Sequence, residues 1–312
     1  MLQLLLLSWP LGMGCRAIED AKLAGRPLSD VDIVAVFPPD GSAHLWGDVP
    51  VQVILGAAGV DKPVEIEVSR GGSDPVTTGC VLDHHGVVMA CDPILGIEPG
   101  EDVSFEVRVG DTVHQVDASG QIPAPGLGWS LLDGVNATAL GKGDAAVGLL
   151  EDAIRQGGAF ATLSDPVDAS GLRTFTFAPS GLDPYGAIGI APWGFTFVLD
   201  VTVEDGRLAG QADSAWLAGA FGPHEIQLLL LDVELQGRLQ GEELSELVLV
   251  AAVPALALVE LSDALGSLGL EVLEVVALDL DLDGDGHPDA AQLRLEGSPA
   301  PAALAAWSLP SP

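Results

Sequence analysis

The chain has 312 residues, 45 acidic against 12 basic, and a formal net charge of −33. That charge excludes nucleic acid and an anionic lipid surface as direct partners, because phosphate would be repelled and no basic cluster offsets it. A mean hydropathy of +0.39 excludes an intrinsically disordered chain, and the length predicts two domains, with ample chain to build a core.

Residues Met1 to Gly14 read MLQLLLLSWPLGMG, and Cys15 follows. Leu2 and Leu4 to Leu7 make a short apolar core, and small Gly14 stands immediately before the cysteine. The segment resembles a bacterial lipoprotein signal, which implies cleavage before Cys15 and lipid on its sulfur. Arg16, rather than an acidic residue, comes next, so the resemblance implies the outer membrane or cell surface. An ordinary secretory signal, leading to a periplasmic or secreted protein, or a frayed apolar tail is the alternative. Residues 1–15 are therefore read as signal and lipidation site and 16–30 as a tether, with Cys15 the sole membrane attachment. Beyond the N-terminus no apolar run reaches the ~18 residues of a membrane span.

From Val31 the pattern turns to short β-like segments separated by Gly, Pro and Asp. Val31 to Phe37, Val51 to Leu55, and Val64, Ile66 and Val68 come first. Two strands then flank the turn Asp83-His84-His85-Gly86. Val103, Phe105, Val107 and Val109 alternate with polar residues before Gly110-Asp111 turns the chain into Thr112 to Val116. Short strands at this spacing predict a β-sandwich over 31–119. Cys80 and Cys91 flank the His-His turn, and a disulfide across that hairpin is the expectation, with two buried thiols the alternative. Phe37-Pro38-Pro39-Asp40-Gly41-Ser42, followed by Asp48-Val49-Pro50-Val51, resembles the entry of bacterial immunoglobulin-like domains. That resemblance covers about 90 residues and implies an immunoglobulin-like sandwich.

Residues 120–128, GQIPAPGLG, read as a linker. In the second domain, 129–296, Ala146, Leu149, Leu150, Ala153 and Ile154 have helical spacing and predict a helix over 144–156, with Asp144 as N-cap. Leu231, Val233 and Leu235 alternate with polar residues, Leu247 to Val253 reads as a buried strand, and Pro254 opens a second helix that ends at Gly269. Val272 to Leu282, and then Leu293 and Leu295, read as strands, and 297–312 as a loose tail. The fold class is thus mainly β: an N-terminal immunoglobulin-like β-sandwich, then a larger β-rich domain with two packed helices. AVGLLEDAIRQGGAF, LQGRLQGEELSELVLVAAVPALALVELSDALG and LDLDGDGHPDAAQLRLE together resemble uncharacterised lipoproteins of myxobacteria-like Gram-negative bacteria. This resemblance implies architecture and location rather than an activity.

Asp281-Leu282-Asp283-Gly284-Asp285-Gly286-His287-Pro288-Asp289 carries the strongest chemical signal. D-x-D-x-D-G aims the first, third and fifth side chains at one point, where hard oxygens surround Ca²⁺ at about 2.3–2.6 Å. Glycine at the sixth position permits the positive φ of the sharp turn. The predicted ligands are Asp281, Asp283 and Asp285, the His287 carbonyl, Asp289, and Gln292 where a glutamate is usual. β-like flanks predict a calcium-clasped hairpin rather than an EF-hand. An ordinary Asp-Gly turn is the alternative, and magnesium suits the loop less well.

Other candidates are weaker. Asp83-His84-His85 offers two imidazoles without an evident third ligand, and Gly71-Gly72-Ser73-Asp74-Pro75 lacks the G-x-S-x-G of a nucleophile loop. Glu243, Glu246, Asp279 and Asp281 offer carboxylates for glycoside hydrolysis. Tyr185 to Phe197 offers aromatic rings that suit a sugar, or simply core packing. The expected protein is a non-enzymatic, exported envelope lipoprotein, a structural or surface-binding module stabilised by calcium, whose partner is an envelope or surface ligand. A secreted, carbohydrate-active hydrolase with an accessory sandwich is the alternative, and a lipid or small-molecule carrier is a third.

Overall fold

The computed structural model describes residues 28, 31–42, 47–57, 64–70, 76–82, 86–98, 100–119, 127–130, 135–141, 144–157, 159–164, 166, 171–182, 188–190, 197–221, 224–265, 272–297 and 299–301. The short alternating segments of the N-terminal unit become β1 (Ile33–Phe37), β2 (Gly47–Leu55), β3 (Val64–Arg70), β4 (Val76–Thr78), β5 (Cys80–Leu82), β6 (Val88–Ile97), β7 (Asp102–Val109) and β8 (Thr112–Ser119). Their inward residues are buried, among them Val51, Val53, Ile66, Val103, Phe105 and Val107. A strand with one apolar face must cover it, and here two four-stranded antiparallel sheets cover each other, in the orders β1-β2-β6-β5 and β4-β3-β7-β8.

Lettered A to G, with β4 as C′, these orders are A-B-E-D and C′-C-F-G, the strand arrangement of an immunoglobulin-like sandwich. The Pro-Asp-Gly entry phrase has a mechanical role in it. Asp40 Oδ1 accepts the Asp117 amide at 2.8 Å, and Gly41 N donates to Asp117 O at 2.8 Å while Ser119 N donates to Ser42 O at 2.8 Å. The phrase thereby carries the chain from the first sheet to the free side of β8 in the second. The expected disulfide joins Cys80 and Cys91, which face each other across β5 and β6 with Cα atoms 3.9 Å apart.

The second unit contains β9 (Leu127–Ser130), β10 (Val135–Leu140), α1 (Asp144–Gly157), β11 (Ala159–Leu163), β12 (Arg173–Leu182), β13 (Ile188–Ile190), β14 (Phe197–Glu204), β15 (Arg207–Phe221), β16 (His224–Gln240), β17 (Glu243–Pro254), α2 (Ala255–Leu265), α3 (Val272–Val275), β18 (Ala290–Gly297) and β19 (Ala300–Pro301). Its strands form one 11-stranded sheet in the order β10-β18-β17-β16-β15-β14-β12-β11-β9-β19, with β13 beside β12. This sheet curls strongly. β18 ends at Gly297 and β19 begins at Ala300, at the opposite end of the strand order. Three residues span at most about 11 Å, so the two ends must approach. Buried Trp129 of β9 holds them there, its Nε1 donating to the Glu242 carbonyl at 2.8 Å. α1 touches β10, β12 and β15, strands well separated in the order, as only a helix on the concave side can.

Several sequence expectations are corrected. Leu127 and Gly128, read as linker, belong to β9, and Gly297, Ala300 and Pro301, read as tail, belong to β18 and β19. Val272–Val275 forms a helical turn rather than a strand, and beyond it the segment pairs with the sheet through the isolated bridges Ala277–Gly141 and Leu280–Ala290 rather than as a strand. Ser262 Oγ of α2 accepts the Val272 amide at 3.2 Å, and that cap outweighs the weak β preference of valine. α2 is described to Leu265, so its expected end at Gly269 lies outside the described residues. No helix among the described residues is long and apolar enough to cross a membrane.

The two units share one hydrophobic core. Trp216 of β15 is 3% exposed. Its ring meets Phe37 of β1 edge-on, with centroids 5.6 Å apart and planes at 72°, and its Nε1 donates to the Val36 carbonyl at 3.1 Å. The sequence offered no sign of this junction, because Trp216 is one of six scattered tryptophans.

Candidate metal centre

The acidic loop is a closed hairpin. Leu280 and Ala290 bridge its base, where Leu280 N donates to Ala290 O at 2.9 Å and Asp289 N to Leu280 O at 2.7 Å. β18 leads away from it, so the loop hangs on sheet rather than between two helices, as its flanks predict.

Inside the loop, backbone amides aim the carboxylates. Asp281 Oδ1 accepts Gly284 N at 2.9 Å, and Oδ2 accepts Gly286 N at 2.7 Å. Asp283 Oδ1 accepts Asp285 N at 3.0 Å, and Asp285 Oδ1 accepts His287 N at 2.8 Å. Gly284 and Gly286 have φ of +72° and +87°, which lets the chain turn back so tightly. One oxygen from each of Asp281, Asp283 and Asp285 lies within 4.8 Å of the others. Ligands of one Ca²⁺ lie about 2.3–2.6 Å from it and hence at most about 5 Å from each other, so the three oxygens fit a common ion. An ionised carboxylate offers about four lone-pair sites, so the amide bonds leave capacity for a cation.

All three aspartates are exposed. Desolvation works to raise the Asp281 pKa, but the amides of Gly286 and Gly284, the Asp283 side chain and the Asp285 amide outweigh it and hold the carboxyl below the ordinary aspartate range. The stability linked to this group is present above the ordinary carboxylate pKa and is lost as pH falls through the lowered value.

Of the six predicted ligands, Asp281, Asp283 and Asp285 are brought together. His287 joins through its amide to Asp285. Asp289 directs Oδ1 to the Leu282 amide at 2.9 Å, and its carbonyl accepts the Ala255 amide at the start of α2 at 2.8 Å. Gln292 is a rung of β18 opposite Ala252, beyond the closing bridge. Its amide donates to Asp279 Oδ1 at 2.9 Å, and its carbonyl accepts Gly141 N at 2.9 Å. The base of the loop is thus tied to β10, α2 and β18 at once.

Of the carboxylates considered for glycoside hydrolysis, the two glutamates stand far from the two aspartates. Asp279 sits beside Gln292, and Gln292 faces Ala252 on β17. At ~3.3 Å per residue, Glu246 and Glu243 lie roughly 20 and 30 Å along that strand, whereas a glycosidase pair needs about 5–10 Å. Cys15, His84, His85 and Ser73 lie outside the described residues, as does most of the Tyr185 to Phe197 cluster.

No family model matches the chain, and no curated protein matches it. Among solved structures it is similar to uncharacterized protein lmo2446 from Listeria monocytogenes EGD-e at 9% identity, covering 71% of this chain and 21% of that one, with a TM-score of 0.19. The same protein in complex with alpha-D-glucose, beta-D-glucose, magnesium and calcium matches at 8% identity, 70% and 21% coverage and a TM-score of 0.19. The cycloalternan-forming enzyme from Listeria monocytogenes in complex with a pentasaccharide substrate gives 8% identity, 70% and 21% coverage and a TM-score of 0.19. The chain spans about a fifth of these neighbours' length, and a TM-score of 0.19 leaves their chemistry their own.

Proposed function

We propose that this protein is a non-enzymatic, exported envelope lipoprotein, anchored at Cys15, that serves as a structural or surface-binding module with a calcium staple in its second unit. The convergence of Asp281, Asp283 and Asp285 within 4.8 Å carries the calcium reading. Three ionised carboxylates this close repel one another without a cation, and a hard divalent ion offsets that repulsion with the ligand type it prefers. The staple would act where it matters mechanically, at the loop base that joins β10, α2 and β18. The Cys80–Cys91 bridge agrees with an oxidising compartment.

Isothermal titration of the full chain with CaCl₂ tests the site. One calcium ion per chain is expected to bind in the micromolar to millimolar range typical of sensors and extracellular modules. Asp283→Asn is expected to weaken it at least tenfold, since it removes one charge from the triad. Absence of calcium binding by the unaltered protein would overturn the reading.

A further inference from the structure

β4 and β5 are two parts of one run, residues 76–82, that crosses from the edge of one sandwich sheet to the edge of the other. Of its apolar side chains only the half-buried, disulfide-bonded Cys80 packs on the core, whereas Val76, Val81 and Leu82 are 65%, 72% and 40% exposed. Backbone pairing is equally thin. β5 aligns Cys80, Val81 and Leu82 with Cys91, Ala90 and Met89, and β4 aligns Val76, Thr77 and Thr78 with Val68, Glu67 and Ile66. Asp92 N donates to Gly79 O at 2.7 Å, so by the alternation of an antiparallel ladder the 79/92 and 81/90 pairs are hydrogen-bonded and the disulfide joins the non-bonded pair between them. Gly79 N adds a bond to Asp92 Oδ2 at 3.1 Å. Fixing a backbone residue costs more free energy than a net hydrogen bond returns, and this run has little apolar burial to make up the difference.

We propose that the Cys80–Cys91 disulfide is a reducible clasp that keeps this run docked, so that its reduction uncovers an edge on each sandwich sheet while the sandwich stays folded. Both cysteines are half-buried, within reach of a small dithiol. The dithiol supplies two electrons and two protons, the S–S bond breaks, Cys80 and Cys91 become thiols, and the reductant closes its own disulfide. The fully buried Phe37, Val53, Ile66 and Phe105 belong to β1, β2, β3 and β7, so the centre of the core is built from strands outside the run. Release leaves the backbone of β3 at 66–68 and of β6 at 89–91 without a neighbour on that side, two short edges open to an added strand.

Hydrogen exchange on the full chain, oxidised and then reduced with dithiothreitol, tests the clasp. Reduction is expected to speed exchange of the 76–82 amides at least tenfold while β2 and β7 keep their protection. The Cys80→Ser/Cys91→Ser double variant is expected to show the same pattern without reductant. Unchanged protection of 76–82 in both cases would overturn the proposal. So would loss of protection spread across β1 to β8, which would make the disulfide a support of the whole sandwich.

Discussion

Trp216→Ala is expected to destabilise the protein by about 3–5 kcal/mol, the range for truncating a buried aromatic. The indole fills the junction between the units, packed edge-on against Phe37 and hydrogen-bonded to Val36 O. Truncation removes the packing, leaves a cavity and orphans a buried carbonyl together. Trp216→Phe keeps most of the ring and loses the donor, so its cost is expected at about 1–3 kcal/mol. Guanidinium denaturation monitored by circular dichroism distinguishes the variants. The alanine form is also expected to unfold in two steps, because the shared core is cut at the point where β1 meets β15. A single transition at an unchanged midpoint would show that the junction contributes nothing.

Gly141→Ala is the second large effect. Gly141 has a φ of +58°, and an added Cβ would stand 1.8 Å from the Ala277 carbonyl oxygen. The clash is with backbone, so β10 must retreat from the segment leading into the acidic loop. Retreat breaks the Gly141–Ala277 bridge and the bond from Gly141 N to Gln292 O. Left-handed strain of about 1–2 kcal/mol adds to overpacking of about 1–3 kcal/mol, giving an expected loss of about 2–5 kcal/mol. Gly241→Ala isolates the clash. Gly241 has a similar φ of +63° with nothing within 4 Å of its added Cβ, so only the conformational part of the cost, about 1–2 kcal/mol, is expected there. Equal losses in the two variants, measured by urea denaturation, would rule out the close approach.

What was legible in the sequence was what local periodicity carries. The run Val103, Phe105, Val107 and Val109 announced a one-sided strand, and all four residues are buried in β7. Leu231, Val233 and Leu235 did the same for β16, and the spacing of Asp281, Asp283 and Asp285 announced their convergence. Local pattern failed where distant partners decide. β4 carries no such signal, because its three residues lack an apolar alternation. The first half of β9 reads as Pro/Gly linker and β19 as Ala/Pro tail because each is short and becomes a strand only through distant partners, β9 through β11 and β19 through β9. Val272–Val275 read as strand from its valines, but a serine ten residues earlier caps it as a helical turn. The curl of the large sheet and the Trp216 junction join segments more than a hundred residues apart, and no window of sequence shows them.

The −33 charge sharpens what the acidic loop must do. Most acids stand dispersed on the surface, where repulsion is screened by salt. The Asp281, Asp283 and Asp285 triad cannot disperse, because backbone amides hold each carboxylate in place. The most direct measurement is therefore thermal melting of the full chain in excess calcium and in EDTA, alongside the Asp281→Asn/Asp283→Asn/Asp285→Asn variant. With calcium at about 100 times Kd, binding adds about 2.7 kcal/mol to stability, so the midpoint of the unaltered protein is expected to rise by about 5 °C over the EDTA value. The triple variant is expected to melt at the same temperature in both. Identical midpoints for the unaltered protein with and without calcium, or a calcium response that survives in the triple variant, would contradict a staple at this loop.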